Sequence, residues 1–289
     1  MQQQPPSLVC VVTGASRGVG RGIALALGAA GAVVYVTGRS QQEGQTTALP
    51  GTIHQTAADV TAAGGHGIAV ACDHADDAQV QALMAQVQQA HGRLDVLANC
   101  AIAIPDALTQ AGPFWDKPLG MTALLDVGLR SAYVASYYAA PLLMAAQGLI
   151  VNISSAGSRC YMHGPAYGAG KAAIDKMSFD MAHDFHPHGV SVVSLWPGLV
   201  ATERTLQVCA AEPGKYGDAL ATAETPEFIG RVVYALAQDP QRLSQRSGGV
   251  FYTAELGAAY GITDTQGAQP PSPRAFFGAP PVYEAVVVE

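Results

Sequence analysis

Residues 13–20 have the sequence Thr-Gly-Ala-Ser-Arg-Gly-Val-Gly, and this stretch decides the fold. It joins an apolar run at 8–12, typical of a buried strand, to residues with the apolar spacing of a helix. A glycine-rich turn in that position lets the backbone approach a pyrophosphate closely and directs the positive N-terminus of the helix towards it. The stretch therefore predicts a dinucleotide site, although an ordinary tight turn has the same pattern. The predicted binding residues are Gly14, Ser16, Arg17, Gly18, Val19 and Gly20.

The rest of the chain alternates short β-branched runs with longer, alanine-rich segments. The runs predict strands at 8–12, 33–37, 68–71, 94–98, 149–153, 190–195 and 250–252. The longer segments predict helices at 76–90, 122–146, 167–185 and 226–237. Near-continuous apolar strands alternating with helices indicate a parallel sheet covered on both faces. We therefore expect residues 1–289 to form one doubly wound α/β domain with three layers, α/β/α.

Two segments depart from this alternation, at 40–55 and 203–225, and each contains a Pro-Gly pair. Long loops in compact domains often act as lids or binding elements, and mobile surface segments are at least as common. We expect the second segment to form a substrate lid. The tail at 266–289 is rich in proline and glycine and either packs on a partner subunit or hangs free.

Composition excludes several classes of protein. Hydrophobic residues make up 49% of the 289 and charged residues 13%, which is enough apolar material for a large buried core. The formal net charge of -7 provides no basic field for binding nucleic acid. Five widely spaced cysteines without a Cys-x-x-Cys pair argue against a disulfide framework or a zinc site and favour a reducing compartment, the cytoplasm. Residues 1–7 lack the positively charged region with which a signal peptide begins. No run approaches the roughly 18 apolar residues of a membrane span, so we expect a soluble protein.

The end of the second predicted strand bears on which dinucleotide binds. Gly38 stands where an acidic residue would bind the adenosine ribose of NAD. Without that carboxylate, Arg39 and Arg17 can clamp a 2′-phosphate, so the sequence favours NADP(H), with NAD(H) as the alternative. In the other interpretation, Arg39 is merely a solvated loop charge. No Gly-Lys-Ser/Thr follows the glycine turn, which excludes a phosphate loop of the nucleotide triphosphatase type.

Tyr167 and Lys171 lie four residues apart at the start of a predicted helix. This spacing places the phenol and the ammonium on one helix face. A neighbouring cation stabilises phenolate and lowers the pKa of a phenol, so that it can exchange a proton near neutrality. Upstream, Ser154 and Ser155 end a predicted strand, where a hydroxyl could donate to a substrate carbonyl oxygen.

Together these stretches resemble the short-chain dehydrogenase/reductase family. The resemblance is carried by residues 13–20, by Asn-Ile-Ser-Ser at 152–155, by Tyr167 and Lys171, and by Trp-Pro-Gly at 196–198, and it extends from about residue 8 to about residue 267. It implies a Rossmann fold in which Tyr167 exchanges the proton, Lys171 tunes it and binds the nicotinamide ribose, and a serine polarises the carbonyl. The hydride then comes from the nicotinamide.

The resemblance also implies further cofactor contacts. Asp73 would contact the adenine, and Asn99 matches the first asparagine of the family's Asn-Asn-Ala-Gly motif. Pro197, Val200 and Thr202 match a Pro-Gly-x-x-x-Thr segment, whose Val200 backbone and Thr202 hydroxyl meet the nicotinamide carboxamide or the phosphates.

This sequence departs from the family pattern at two positions. Cys100 replaces the second asparagine of the motif, and Gly128 stands where the family places a proton-relay asparagine, so the relay runs through water alone or through Asp126. The choice of serine is also open, because the strand register points to Ser155 and the family's spacing to the tyrosine points to Ser154. We favour Ser155, since a strand fixes register more tightly than a loop does.

Three histidines, His183, His186 and His188, lie near a predicted helix end, where Gly189 is a natural cap. Histidines there interact favourably with the helix dipole, and we prefer this interpretation to a metal site.

Aromatic and apolar residues between the predicted elements either line an apolar carbonyl pocket or pack in the core: Phe114, Trp115, Tyr161, Met162 and His163. A second set on one predicted helix either meets another subunit, in a homodimer or homotetramer, or is buried: Tyr133, Tyr137, Leu142 and Met144.

These observations favour an NADP(H)-dependent carbonyl reductase or alcohol dehydrogenase, with Ser155, Tyr167 and Lys171 as the catalytic set and a small, apolar carbonyl or alcohol as substrate. The alternative is a catalytically silent dinucleotide-binding sensor or interaction protein, to which the departures at Cys100 and Gly128 point. An enoyl reductase is disfavoured because related enzymes of that type have a wider spacing between tyrosine and lysine.

Overall fold

The computed structural model describes residues 7–265 and 267–288, so the N-terminal residues 1–6, on which the signal-peptide prediction rests, lie outside it, as do Gln266 and Glu289. Seven strands form one sheet in the order β3-β2-β1-β4-β5-β6-β7, and every neighbouring pair is parallel. The strands β1–β7 are Val9–Val12, Val33–Gly38, His66–Ala71, Val96–Asn99, Leu149–Ile153, Ser191–Trp196 and Val250–Tyr252.

Ten α-helices connect or flank the strands in the described part of the chain. The helices α1–α10 are Gly18–Ala29, Ile53–Ala62, Asp77–His91, Ser131–Ala146, Pro165–Phe185, Glu203–Ala211, Pro226–Gln238, Arg242–Gln245, Thr253–Ala259 and Arg274–Phe277. Apolar residues of α1, α2, α7 and α9 pack on one face of the sheet, and those of α3, α4 and α5 pack on the other. This arrangement confirms the predicted doubly wound, three-layer α/β fold.

The first strand shows how the sequence fills both faces of the sheet. Cys10 and Val12 point into the cluster beneath α1 and α7, whereas Val9 and Val11 point into the cluster beneath α3 and α4. Successive strand residues face opposite sides, so a strand that is buried on both sides must be apolar throughout. Among the described residues, no helix has both the length and the apolarity to cross a membrane.

The single helix predicted at 122–146 is wrong, because the structure breaks it before α4. Val127 and Gly128 have non-helical backbone angles, with a φ of 146° at Gly128. The break follows from a backbone contact, since the Ala103 N–H donates to the Val127 carbonyl over 2.8 Å and draws it towards the chain that follows β4. A left-handed φ of this size favours glycine, which explains why position 128 is glycine.

The two segments outside the alternation contain more regular structure than expected. The last three residues of the segment at 40–55 belong to α2, which Thr52 caps by accepting from the Gln55 N–H. The segment at 203–225 begins with α6, in which no residue is fully buried, and continues with a 3₁₀ helix at Gly217–Thr222. Both segments border the functional groove described below.

The C-terminal tail contacts its own chain as far as Tyr283, which packs against Phe179, whereas Val286 and Val288 are 75% and 91% exposed. The Tyr252 hydroxyl donates to the Gly278 carbonyl at 2.9 Å. Arg274 makes two hydrogen bonds to the Glu255 carboxylate, at 2.7 and 2.6 Å. This part of the tail therefore lies against side chains of β7 and α9.

The predicted helix surface on α4 is divided between the core and the solvent. Leu142 is buried in the core, whereas Tyr133 and Tyr137 are exposed at 55% and 65%.

At the end of α5, Gly189 has the left-handed φ of 73° expected of a cap after the three histidines.

Helices α1 and α7 cross with almost no space between their backbones. A Cβ added at Gly22 would lie 2.1 Å from the Pro226 carbonyl carbon, and one at Gly230 would lie 2.5 Å from the Gly22 carbonyl oxygen. Glycine at these positions is therefore a packing requirement, since any side chain would push the helices apart.

We expect Gly22→Ala to destabilise the protein by about 1–3 kcal/mol, the usual range for an overpacked core. Chemical denaturation measures this loss as a lower midpoint. The control is Gly120→Ala, where an added Cβ meets no described heavy atom within 4 Å. Equal midpoints for the Gly22 variant and the wild type would show that α1 and α7 do not depend on this contact.

Candidate active site

A groove of about 590 Å³ lies at the carboxyl ends of the central strands. Parallel sheets bind ligands at this edge, where the strand order reverses direction between β1 and β4. The predicted site residues that line the groove are Gly14, Ser16, Arg17, Gly18, Val19, Gly20, Arg39, Asp73, Asn99, Lys171 and Thr202. The structure therefore brings these residues together, whereas Ser155 and Tyr167 are not among the residues that line the groove.

The glycine turn is shaped by a close backbone approach. Gly14 has a φ of 64°, and a Cβ there would lie 2.7 Å from the Ala101 Cα. The Thr13 hydroxyl oxygen accepts from the Cys100 and Ala101 N–H groups, each at 3.0 Å, and so ties the end of β1 to the end of β4. Only glycine fits at position 14 without moving one of these strands.

The amide of Gly18 shows that the turn can bind an anionic oxygen. Its N–H donates to Glu203 Oε2 at 2.9 Å, where α6 begins. The first turn of α1 contains no acidic residue, so the helix N-terminus keeps its positive end for an anion. These features fit a dinucleotide pyrophosphate, with the Glu203 carboxylate occupying one of its donors. Sequence reasoning missed Glu203, because its partner is 185 residues away along the chain.

The two arginines of the predicted 2′-phosphate clamp have different surroundings. Arg17 donates to the Pro50 and Gly51 carbonyls at 2.9 and 2.7 Å and to Ser40 Oγ at 3.1 Å, so it holds the 40–52 segment in place. Arg39 is 58% exposed on its side chain and lies 3.9 Å from an Asp73 carboxylate oxygen. Arg39 is therefore the more available of the two cations.

His74, which directly follows Asp73, also lines the groove. Its Nε2 lies 2.9 Å from the Thr37 hydroxyl, and burial lowers its pKa to about 4, so the imidazole is neutral at physiological pH.

Tyr167 and Ser155 are in direct contact. The Tyr167 hydroxyl donates to Ser155 Oγ at 3.0 Å, and this oxygen also accepts from the Gly157 N–H at 3.1 Å. Ser154 is buried, and its hydroxyl donates instead to the Lys171 carbonyl at 3.1 Å. Successive residues at a strand end point to opposite sides, so Ser155 faces the phenol and Ser154 faces the helix.

Lys171 is held between the strand end and the phenol. Its Nζ donates to the Ile153 carbonyl at 2.9 Å and lies 5.6 Å from the centre of the Tyr167 ring. Burial lowers the pKa of Lys171 to about 8, and the nearby Asp175 and Cys100 oppose this change. The ammonium therefore loses its proton within the range in which many enzymes are assayed.

In the free protein the net pKa of the Tyr167 phenol lies above its ordinary value, opposite to the direction predicted from its spacing to Lys171. Burial raises the pKa of the phenol, and the hydrogen bond with Ser155 offsets this only partly. The ammonium is bound to the Ile153 carbonyl rather than to the phenol oxygen. Tyr167 therefore keeps its proton at neutral pH, as a proton donor must.

Other predicted cofactor contacts are engaged within the protein. The Asn99 side chain is buried and donates to Asn152 Oδ1 at 2.8 Å. The Thr202 hydroxyl oxygen caps α6 by accepting from the Thr205 N–H at 3.2 Å. Pro197 and Val200 are not among the residues that line the groove, and Val200 instead pairs with Glu224.

The two departures from the family pattern both lie at the groove. Gly128 lines it, whereas Asp126 is exposed and lies outside the lining, which argues against a relay through Asp126. Cys100 lines the groove beside Lys171, and burial raises the pKa of its thiol to about 12. The thiol is therefore protonated and acts as a small apolar group.

The aromatic residues flagged in the sequence are mostly on the surface. Phe114, Trp115 and Tyr161 are 58%, 72% and 79% exposed, so the core-packing interpretation is wrong for them. His163 packs edge-on against Tyr167, with 5.1 Å between ring centres.

A doubly wound parallel sheet with a glycine turn between β1 and α1 is typical of dinucleotide-binding proteins with a Rossmann fold. The chain belongs to the short-chain dehydrogenase family. The family model with the description "short chain dehydrogenase" matches residues 8–212.

Known proteins of this family resemble the chain over most of its length. It is 44% identical over 271 residues to human "Dehydrogenase/reductase SDR family member 1", covering 90% of this chain and 83% of that protein. A crystal structure of a metagenomic short-chain oxidoreductase in complex with NADP matches with a TM-score of 0.66 and 31% identity, covering 85% of this chain and 96% of that one. A short chain dehydrogenase from Mycobacterium thermoresistibile matches with a TM-score of 0.75 and 25% identity, covering 89% of both chains.

We expect Glu203→Gln to bind a nicotinamide dinucleotide roughly twofold to fivefold more tightly than the wild type, the usual size of a partly exposed charge effect. The reason is that the Glu203 carboxylate competes with a pyrophosphate oxygen for the Gly18 N–H and repels its charge. Calorimetric titration measures the dissociation constant, with Glu212→Gln on the following loop as control. Unchanged or weaker binding would contradict this account of Glu203.

Proposed function

We propose that the protein is an NADP(H)-dependent oxidoreductase that reduces a carbonyl or oxidises the corresponding secondary alcohol. The observation that carries the proposal is the 3.0 Å hydrogen bond from Tyr167 to Ser155, with Lys171 one helical turn further along α5 and lining the groove. A bound dinucleotide supplies the hydride. The family membership of the chain supports this class of reaction.

In the proposed reduction, the substrate carbonyl oxygen lies between the Ser155 and Tyr167 hydroxyls. Ser155 donates a hydrogen bond that stabilises the negative charge developing on this oxygen. Tyr167 then gives its proton to the oxygen and becomes a phenolate. The positive charge of Lys171 stabilises that phenolate, and the lysine also binds the nicotinamide ribose. The raised pKa of the Tyr167 phenol means that the free site holds the proton that carbonyl reduction requires.

The preference for NADP(H) rests on Arg39 and Gly38. Gly38 contributes no carboxylate to repel a 2′-phosphate, and the exposed Arg39 can pair with one. Arg17 supports this end of the site indirectly, through the segment that it holds. NAD(H) remains the alternative cofactor.

The substrate is proposed to be apolar because of the wall beside Tyr167. Ile102 packs with Tyr167 against a cluster of Leu108, Met121 and Leu124. The groove lining continues through Ile104 and Pro105. The predicted cytoplasmic location and the homodimer or homotetramer stay predictions.

A silent dinucleotide sensor is the second candidate, favoured by Cys100 and Gly128. Turnover that depends on Tyr167 would exclude it.

Tyr167→Phe removes the proton donor while leaving the ring, so we expect kcat/KM for carbonyl reduction to fall by roughly 10²–10⁴-fold. Ser155→Ala should lose activity by a similar order, and Ser154→Ala far less. The measurement is NADPH oxidation over a panel of aldehydes and ketones, with the exposed Tyr161→Phe as control. If the Tyr167 variant turned over like the wild type, the proposed acid would be the wrong residue.

The reduction rate should fall as the pH rises through about 8, the pKa of Lys171. Burial lowers this pKa, so the ammonium is present below it and lost above it, and the phenolate then lacks its counter-charge. A pH profile of kcat/KM measures this, and Lys171→Arg, which stays charged, should remove the alkaline decrease in whatever activity it retains. The control is Lys176→Arg on the same helix. A flat wild-type profile across this range would contradict the role of Lys171.

Arg39→Gln should weaken NADPH binding by about tenfold, which corresponds to about 1.4 kcal/mol, and leave NADH binding unchanged. Fluorescence titration with both cofactors measures the ratio. Arg130→Gln, which alters an arginine paired with Asp77, is the control. Equal losses for both cofactors would mean that Arg39 does not read the 2′-phosphate.

A further inference from the structure

A buried carboxylate lies one helical turn beyond Lys171 and has no part in the mechanism above. Asp175 is 0% exposed. The Ser194 hydroxyl donates to its Oδ1 at 2.6 Å, and the Trp196 indole nitrogen lies 3.1 Å from both of its oxygens. An indole N–H can only donate, so the Asp175 carboxyl group acts as the acceptor. Burial raises the pKa of the Asp175 carboxyl, and these hydrogen bonds oppose that change by favouring the ionised form.

Asp175 connects three parts of the candidate site. It shares a face of α5 with Lys171, because the two residues are four apart. Its donors belong to β6, and Trp196 is followed directly by the Pro197-Gly198 turn. Trp196 is also fully buried, in a cluster with Tyr252 and with Ala156, the residue after Ser155.

A buried carboxylate is costly unless hydrogen bonds and an opposite charge compensate for it. The hydrogen bonds come from Ser194 and Trp196, and the opposite charge is the Lys171 ammonium. In return, the Asp175 charge raises the pKa of Lys171 against the effect of burial. The other titratable groups that act on this pair are Cys100, which faces Lys171, and the Tyr283 phenol of the tail, whose pKa is raised mainly by burial and then by Asp175.

We propose that Asp175 is a positioning residue of the active site, which fixes Trp196 and the turn after it and provides the counter-charge that keeps Lys171 protonated. The inference rests on the proposed function for its kinetic consequence. Its structural consequence, the hydrogen bond to Trp196, is independent of any turnover.

Asp175→Asn is the central test, because it removes the charge and keeps the size and one acceptor oxygen. The chain has two tryptophans, Trp115 and Trp196, so Trp115→Phe assigns the indole N–H resonance of Trp196 in a proton NMR spectrum. We expect this resonance to move to higher field in the Asp175 variant. We also expect kcat to fall by roughly tenfold with a smaller change in KM, and the alkaline decrease of kcat/KM to begin about one pH unit lower.

The matched control is Asp180→Asn, which removes an exposed carboxylate from the same helix, paired with Lys176. It should change neither the Trp196 resonance nor the pH profile. If the Asp175 variant does not fold, Ser194→Ala takes its place: it leaves the carboxylate with one donor fewer, and the alkaline decrease should move in the same direction by a smaller amount.

Folded Asp175→Asn protein with an unchanged Trp196 resonance and an unchanged pH profile would overturn the proposal. So would an unchanged pH profile in folded Ser194→Ala if only that variant can be studied. Absence of wild-type turnover on every carbonyl tested would count against the proposed function, and the Trp196 resonance would still decide whether Asp175 holds that side chain.

Discussion

The carboxyl ends of β1 and β4 lie very close together, and this contact determines where the other parts of the candidate site lie. The turn after β1 passes so near to Ala101 that a Cβ at Gly14 would lie 2.7 Å from its Cα. Thr13 locks this approach by accepting from two consecutive backbone N–H groups. The same crossing starts α1 with its N-terminus towards the groove and places Cys100 beside Lys171. A wider separation of the two strands would move the glycine turn away from the candidate catalytic residues.

Burial, more than direct ion pairing, sets the electrostatics of the site. It raises the pKa of Tyr167 and lowers that of Lys171 to about 8, so the uncharged forms of both groups are favoured. Burial also raises the pKa of Asp175, and the hydrogen bonds that its carboxylate accepts from Ser194 and Trp196 oppose this change. The site thus keeps an acid that is protonated near neutrality and a cation that is close to losing its proton.

The sequence was sufficient for the sheet and for most of the groove, because both follow from local patterns. Apolar strands buried on both faces and the glycine turn have short-range signatures, and the strand register placed Ser155 beside Tyr167. Contacts between distant segments could not be foreseen. The bond from Gly18 to Glu203, the hold of Arg17 on the loop before α2, and the break at Gly128 each depend on a tertiary partner. The pKa of Tyr167 was predicted in the wrong direction, since spacing along a helix does not show how deeply a phenol is buried.

In the proposed reaction, a hydride passes between a nicotinamide and a carbonyl carbon beside the Tyr167 hydroxyl. NADPH that carries deuterium on the carbon that donates the hydride tests this transfer when the alcohol product is analysed by mass spectrometry. We expect one deuterium, bonded to the former carbonyl carbon, in the product made by the wild-type protein and almost no product from Tyr167→Phe. Alcohol formed without deuterium, or formed equally well by the variant, would contradict it.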